Sequence, residues 1–265
     1  MSPISQHHKA EAFAALHSGA PFLIPNPWDA GSARALEAFG FKALATTSSG
    51  YAFTLGRRDG GATLDDVCAH IGALDQATGL PISADLENGY ADSPAAVAHA
   101  VRRAAEAGAV GGSIEDWDSE SGRIYPRGHA TERIAAAVEA AHELGFRFML
   151  TARAENHIRG NPDLDDTIAR LQAFEAAGAD VLYAPGLRTL KQIRTVCAAV
   201  SKPVNVLAVS GLTASDIFAA GAQRISVGGA LTWVAAKALG EAASAIRDGD
   251  FSVLGARPPL DEWFR

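Results

Sequence analysis

Acidic side chains close three segments of the chain that are otherwise short and apolar. Asp85 and Glu87 end the first segment, Glu115 the second, and Arg153 and Glu155 the third. Alternation along an extended chain places Asp85 and Glu87 on one face, and Arg153 and Glu155 also share a face. Converging carboxylates repel one another unless a cation joins them, and burial adds a desolvation cost. Hard oxygen ligands without Cys or His favour Mg²⁺, with Mn²⁺ as a possible substitute, over zinc.

Arg153 indicates an anionic ligand, because a guanidinium can hold a carboxylate or phosphonate of a substrate in a forked contact. A single acidic residue at the end of a strand more often caps the next helix or pairs with an arginine. Matched facing on neighbouring segments favours a metal-dependent site over that structural role.

A repeated unit positions these groups. An Ala/Glu-rich helical stretch ends in Gly, and a short β-branched strand follows; the glycines are Gly40, Gly108, Gly145, Gly178 and Gly221. Eight strands are predicted, at 22–25, 43–48, 81–87, 111–116, 147–153, 180–185, 204–209 and 224–228. Alternating strands and helices without a linker predict an α/β fold, one (β/α)8 TIM barrel domain over residues 1–265, with its active site at the carboxyl ends of the strands. A doubly wound open sheet is the alternative, but no G-x-G-x-x-G turn follows the first strand.

Composition excludes several classes of protein. The 265 residues are 48% hydrophobic and 20% charged, which is typical of a folded domain and not of a disordered chain. A net charge of −7 argues against nucleic acid as a partner. No apolar run is long enough for a membrane span, and the N-terminal segment lacks the apolar region of a signal peptide. Cys68 and Cys197 show no CxxC spacing, so we expect a cytoplasmic protein without disulfides or a thiolate zinc site.

The C-terminal tail carries four large apolar side chains beyond the last predicted barrel helix. They are Phe251, Leu254, Trp263 and Phe264. Leaving them all in water would be costly, so we expect the tail to pack on the barrel or on a neighbouring subunit.

Three motifs at strand ends resemble those of the isocitrate lyase/phosphoenolpyruvate mutase superfamily. They are D-L-E-N-G-Y at 85–90, E-D at 115–116 and A-R-A-E at 152–155, and the similarity covers roughly residues 20–230. The resemblance implies a TIM barrel that binds Mg²⁺ directly at Asp85. Glu87, Glu115 and Asp59 match family carboxylates that act mainly through metal-bound water, and Arg153 matches the family arginine.

The resemblance also assigns a substrate site and an assembly. Thr47, Ser48 and Ser49 match the segment that binds the carboxylate and the 2-oxo group of the substrate. Family members commonly exchange their last helix between barrels, so we expect a homodimer or homotetramer in which the last helix region is swapped.

Departures from the family pattern narrow the expected chemistry. The lyases carry a catalytic cysteine in the loop after the fourth strand, and this loop, W-D-S-E-S-G-R-I-Y-P-R-G-H-A, has none. Pro185 stands where the mutases have His and the lyases Glu. Isocitrate or methylisocitrate cleavage is therefore disfavoured, as is phosphonate mutation. Asp118, Glu120, Tyr125 and His129 are the candidate acid–base groups of the loop.

We therefore predict a Mg²⁺-dependent lyase-type enzyme acting on a small 2-oxo acid or dicarboxylate, oxaloacetate-like or phosphonopyruvate-like. It breaks a C–C or P–C bond through an enolate, with Arg153, Glu115 and His129 as catalytic residues. A phosphonomutase or hydrolase of the same superfamily is one alternative. A non-catalytic protein that binds dicarboxylates is another.

Overall fold

Eight parallel strands form a nearly closed barrel. A computed structural model of the chain describes residues 4–255 and 257–264. The barrel strands are β1 (Phe22–Ile24), β2 (Leu44–Ala45), β3 (Ile82–Asp85), β4 (Gly111–Glu115), β7 (Met149–Arg153), β8 (Val181–Tyr183), β9 (Val204–Leu207) and β10 (Arg224–Ser226). Their order around the barrel is β1-β10-β9-β8-β7-β4-β3-β2. Ala45 N–H donates to the Pro25 carbonyl at 3.0 Å, which links β2 to the end of β1. The predicted (β/α)8 TIM barrel is confirmed, and the open sheet is wrong.

Helices cover the outside of the barrel and close its floor. Those in the described ranges are α1 (Gln6–Ser18), α2 (Ala30–Ala38), α3 (Ser48–Thr54), α4 (Leu64–Ala77), α5 (Pro94–Glu106), α6 (Arg127–His142), α7 (Leu164–Ala176), α8 (Leu190–Ala199), α9 (Ala214–Ala219), α10 (Ala230–Arg247) and α11 (Leu260–Trp263). On α1, Phe13 is fully buried against the floor residues Phe22 and Met149. None of these helices is both long and apolar enough to cross a lipid bilayer.

Local sequence signals explain where several elements begin and end. Thr63 starts α4 with a capping box, because its hydroxyl accepts from Asp66 N–H while the Asp66 side chain accepts from Thr63 N–H. The predicted left-handed glycines are found at four positions, namely Gly40, Gly108, Gly178 and Gly221. Gly145 does not adopt a positive φ.

Seven of the eight predicted strands end earlier than expected, and two of them lead into segments that line the site. The segment 43–48 forms a strand only at Leu44–Ala45, and the helix α3 begins at Ser48 because the Thr47 hydroxyl accepts from Gly50 N–H as its cap. The segment 81–87 leaves the sheet after Asp85, since Glu87 has φ +48. A short antiparallel hairpin, β5 (Trp117–Asp118) and β6 (Arg123–Ile124), stands in the predicted loop after β4.

The last long helix is poorly covered by the rest of the chain. Thr232 is the buried residue of α10, while Trp233, Val234 and Leu239 are exposed. At the end of the tail, the Trp263 ring lies 5.8 Å from the ring of Phe39, the residue that caps the C-terminus of α2. The apolar surface of α10 thus remains open to solvent in the single chain.

Candidate active site

A cavity of about 400 Å³ opens at the carboxyl ends of the barrel strands. Eight of the nine predicted site residues line it: Thr47, Ser48, Ser49, Asp59, Asp85, Glu87, Glu115 and Arg153. Further lining residues are Trp117, Glu155, Arg159, Tyr183, Asn205 and Arg224. The barrel therefore brings together groups that lie far apart in the sequence.

Asp85 is held in place at the end of β3. Its Oδ2 accepts from Ser48 N–H at 3.0 Å, and its own N–H donates to the Thr46 hydroxyl at 2.7 Å. Because Thr47 caps α3, the first amide of that helix points at Asp85 and fixes one carboxylate oxygen. The other oxygen, Oδ1, accepts from Arg153 Nη1 at 2.9 Å.

Arg153 lies among three carboxylates. Its Nη1 contacts Asp85, its Nη2 contacts Glu115 and Glu155 at 2.9 Å each, and its Nε donates to Glu155 at 3.1 Å. Burial alone would lower the pKa of Arg153, but the three carboxylates outweigh burial and raise it. The guanidinium fork that we predicted for a substrate anion is thus occupied by the protein's own carboxylates.

A second arginine, Arg159, was not among the predicted site residues. Its Nε donates to Glu155 Oε2 at 3.1 Å, and its Nη2 lies 3.3 Å from Glu115 Oε1. The guanidinium also stacks over the Trp117 ring of the hairpin, 4.6 Å from its centroid. In the sequence, the spacing of four residues between Glu155 and Arg159 could have indicated that the two side chains form an ion pair.

Carboxyl groups outnumber guanidinium groups in this cavity. Five carboxyl groups line it against three guanidinium groups, and Arg224 lies at the floor, away from any salt bridge among the described residues. Burial, followed by repulsion from Asp85 and Asp59, raises the pKa of Glu87 to about 8. Burial also raises the pKa of Glu115 well above its ordinary value. Such shifts are expected where carboxylates converge with too few cations.

The donor set fits a hard divalent cation. Glu87 Oε1 is buried and has no hydrogen-bond partner in the part of the chain that the structure describes. Within those same residues, no three Asp, Glu, His or Cys side chains are grouped as a three-ligand metal site. Mg²⁺ usually takes only one or two carboxylates and completes its shell with water and substrate oxygens. Asp85 suits a direct ligand, and Glu87, Asp59 and Glu115 suit contacts through water.

The turn after β3 is strained and is clamped from behind. Glu87 and Tyr90 adopt positive φ, at +48 and +63, which non-glycine residues rarely do. Arg133, which is 1% exposed, donates to the Asn88 and Asp92 carbonyls of this turn. This clamp holds Glu87 over the cavity although Glu87 no longer belongs to the strand.

His129 lies apart from the cluster. It is on α6, with Nε2 3.2 Å from the Asp92 side chain, and it does not line the cavity. The structure therefore does not bring this predicted catalytic residue to Asp85. Its neighbour Tyr125 is buried, and its hydroxyl accepts from the Asn88 side chain at 3.2 Å. Pro185 lines the cavity, at the predicted end of the sixth barrel strand.

Known proteins share both the sequence pattern and the fold. A solved structure described as a lyase/mutase from Burkholderia cenocepacia J2315 has 52% identity and a TM-score of 0.93, covering 98% of this chain and 96% of that one. The 2-methylisocitrate lyase of Escherichia coli is 31% identical over 211 residues, 76% of this chain and 70% of the relative. An oxaloacetate decarboxylase of Rhodopseudomonas palustris is 31% identical over 195 residues, 71% of this chain and 66% of the relative.

The family assignment follows from a match along most of the chain. The family model for phosphoenolpyruvate phosphomutase matches residues 13–247. This range includes every barrel strand and the whole cluster around Asp85. The resemblance predicted from the three strand-end motifs is confirmed. The chain belongs to the phosphoenolpyruvate phosphomutase family, within the PEP mutase/isocitrate lyase superfamily.

Proposed function

We propose that this protein is a Mg²⁺-dependent enzyme that cleaves a carbon–carbon bond in a small 2-oxo dicarboxylate, with oxaloacetate as the leading substrate. The cluster of carboxyl groups around Asp85 carries the proposal, because Glu87 keeps a buried oxygen without a partner there. Carboxyl groups outnumber guanidinium groups in the cavity. An anionic substrate therefore needs a cation to enter with it.

The proposed chemistry is the loss of CO₂ from a 2-oxo acid. Mg²⁺ at Asp85 would supply the positive charge that stabilises the 2-oxo oxygen as the bond breaks. The C3–C4 bond of oxaloacetate breaks, C4 leaves as CO₂, and the electron pair of the bond forms the enolate of pyruvate. Thr47 and Ser49, whose hydroxyls lie 3.2 Å apart, would orient the carboxylate next to the 2-oxo group. Glu115, with its raised pKa, is the proposed donor of the proton to C3.

The lining of the cavity favours this reaction over those of other superfamily members. In the described part of the chain no cysteine lines the cavity; Cys68 and Cys197 lie elsewhere. The hairpin that closes over the site contributes Trp117 and Ser119, which are poor bases at neutral pH. Decarboxylation needs no base to generate a nucleophile, whereas hydrolysis and retro-aldol cleavage do.

Turnover of oxaloacetate with and without Mg²⁺ tests the proposal. We expect pyruvate to form well above the rate with metal alone, since oxaloacetate also decays without enzyme. Phosphonopyruvate and 2-methylisocitrate should be assayed in parallel, with products identified by NMR. Oxalate and acetate as products would show that the enzyme hydrolyses oxaloacetate instead of decarboxylating it. Turnover of phosphonopyruvate would favour a phosphonomutase or hydrolase. Mg²⁺-dependent binding of oxalate without turnover of any substrate would indicate a non-catalytic protein that binds dicarboxylates.

We also propose that the protein works in the cytoplasm as a homodimer or homotetramer, with α10 exchanged between barrels. The support is the exposure of large apolar side chains around this helix, including Trp233, Val234 and Leu239. Packing against a second barrel would remove these side chains from water. Cys68 and Cys197 are both unpaired, which suits a reducing compartment.

Replacing Leu239 by glutamate should shift the protein towards the monomer, because a buried charge would oppose packing of α10 on a second barrel. Light scattering coupled to size-exclusion chromatography measures the mass. Ile4→Glu places the same charge on an exposed apolar residue outside this helix and should leave the mass unchanged. A wild-type protein that is monomeric at micromolar concentration would contradict the exchange.

A further inference from the structure

Arg159 occupies the rim of the cavity with part of its guanidinium uncommitted. Glu155 and Glu115 accept from its Nε and Nη2. Nη1 donates to no described residue, and the side chain is 31% exposed. The Trp117 ring supports the plane of the guanidinium from one side. This group is therefore positioned, charged and able to donate further hydrogen bonds.

Arg153 offers much less to a ligand. Each of its three nitrogens already contacts a carboxylate, and its side chain is only 13% exposed. It lies beneath Asp85, Glu115 and Glu155 and neutralises them. Of the two arginines in the carboxylate cluster, Arg159 is thus the one that can still contact an incoming anion.

The charges around the rim allow Arg159 to distinguish between substrates with one and with two carboxylates. A 2-oxo acid whose first carboxylate and 2-oxo oxygen approach Asp85 would have its remaining carbons in a cavity that Asp59, Glu87 and Glu115 also line. A second carboxylate there meets repulsion unless a cation offsets it. Arg159 lines the same cavity as Asp59 and Glu87, so its positive charge is available at this position. A substrate that ends in a methyl group needs no such partner.

We propose that Arg159 binds the carboxylate remote from the 2-oxo group, and that this contact selects C4 dicarboxylates over monocarboxylates of the same length. Trp117 keeps the guanidinium in the plane from which it can make this contact. The inference rests on the proposed function, because the proposed function places the reacting end of the substrate at Asp85. It adds to that function a residue that determines substrate specificity.

Binding of stable ligands in the presence of Mg²⁺ tests this without turnover. Malate and 2-hydroxybutyrate have four carbons each and differ in one terminal carboxylate. Oxalate reaches only the metal side of the site. By calorimetry we expect the wild type to bind malate about ten to a hundred times more tightly than 2-hydroxybutyrate, the range of a hydrogen bond between charged groups. Arg159→Gln should remove this preference and leave oxalate affinity within about two-fold.

Two further variants separate recognition from support. Trp117→Leu keeps both ion pairs of Arg159 but removes the ring beneath it, and should lower the preference for malate only in part. Arg58→Gln removes a positive charge from an exposed residue outside the cavity lining and should change neither ligand's affinity. If oxaloacetate is turned over, Arg159→Gln should raise KM without lowering kcat, because the remote carboxylate is charged in the ground state and loses its charge as it leaves as CO₂.

The outcomes are distinguishable. An unchanged preference for malate in Arg159→Gln, with oxalate binding intact, would overturn the inference and leave the proposed function standing. Loss of oxalate binding together with malate binding would mean that Arg159 only supports Glu115 and Glu155. A wild type that binds neither oxalate nor malate in a Mg²⁺-dependent manner would instead refute the proposed function.

Discussion

Replacing Asp85 by alanine is expected to lower Mg²⁺-dependent turnover by at least about a hundredfold, the loss typical when a group that stabilises the developing oxyanion is removed. Asp85 lies at the centre of the cluster, where Ser48 N–H and Arg153 each fix one of its oxygens. Among the described residues, no other carboxylate of the cluster accepts a hydrogen bond from a backbone amide of α3, so none can replace Asp85 in the same geometry.

Metal binding can be measured separately from activity. Mg²⁺ should raise the melting temperature of the wild type, because a ligand that binds only the folded state stabilises it, and Asp85→Ala should lose this increase. Asp65→Ala is the matched control, since Asp65 is exposed and forms an ion pair with Arg103 on the outside of the barrel. Retained Mg²⁺-dependent turnover in Asp85→Ala would show that the metal is held elsewhere.

Replacing Arg153 by methionine is expected to lower the free energy of unfolding by about 3–5 kcal/mol at neutral pH, because it leaves buried carboxylates without their cation. The side chain is replaced by one of similar length, so packing is largely kept. Glu155, which is fully buried, loses two contacts with Arg153 and keeps Arg159 as its one cationic partner among the described residues. Arg153→Lys keeps the charge but cannot span three carboxylates, and should restore part of the loss.

Denaturant unfolding of Arg153→Met beside Arg102→Met measures this effect. Arg102 pairs with Glu143 on the surface, where an ion pair contributes at most about 1 kcal/mol. A loss of stability no greater than that of the surface variant would contradict the central role given to Arg153. Mg²⁺ should stabilise Arg153→Met more than the wild type, because the unpaired carboxylates gain a cation.

Much of the fold is determined locally and could be predicted from the sequence. Helices that end at glycines such as Gly108 and Gly178 are followed at once by short apolar strands. That repeat predicts parallel strands covered by helices, and eight repeats close a barrel. Period-two alternation also predicted that Asp85, Glu115 and Arg153 face the same interior, because it depends only on neighbouring residues.

The tertiary structure decided which of these groups contact one another. Arg153 was predicted to hold the substrate, but closure of the barrel surrounds it with Asp85, Glu115 and Glu155. His129 lies near the other acid–base candidates in sequence, yet α6 carries it away to Asp92. Arg159 gains its role only when the hairpin brings Trp117 beneath it.

Sequence spacing thus determined the residue types at the mouth of the barrel, because the period of a strand or helix is a property of the local backbone. The partners of each charge were decided by distances across strands that are tens of residues apart in the chain. Asp85 and Arg153, for example, are separated by 68 residues and meet at 2.9 Å. Since electrostatic energy depends on separation in space and on burial, only the closed barrel determines which arginine neutralises the cluster and which remains available for a ligand.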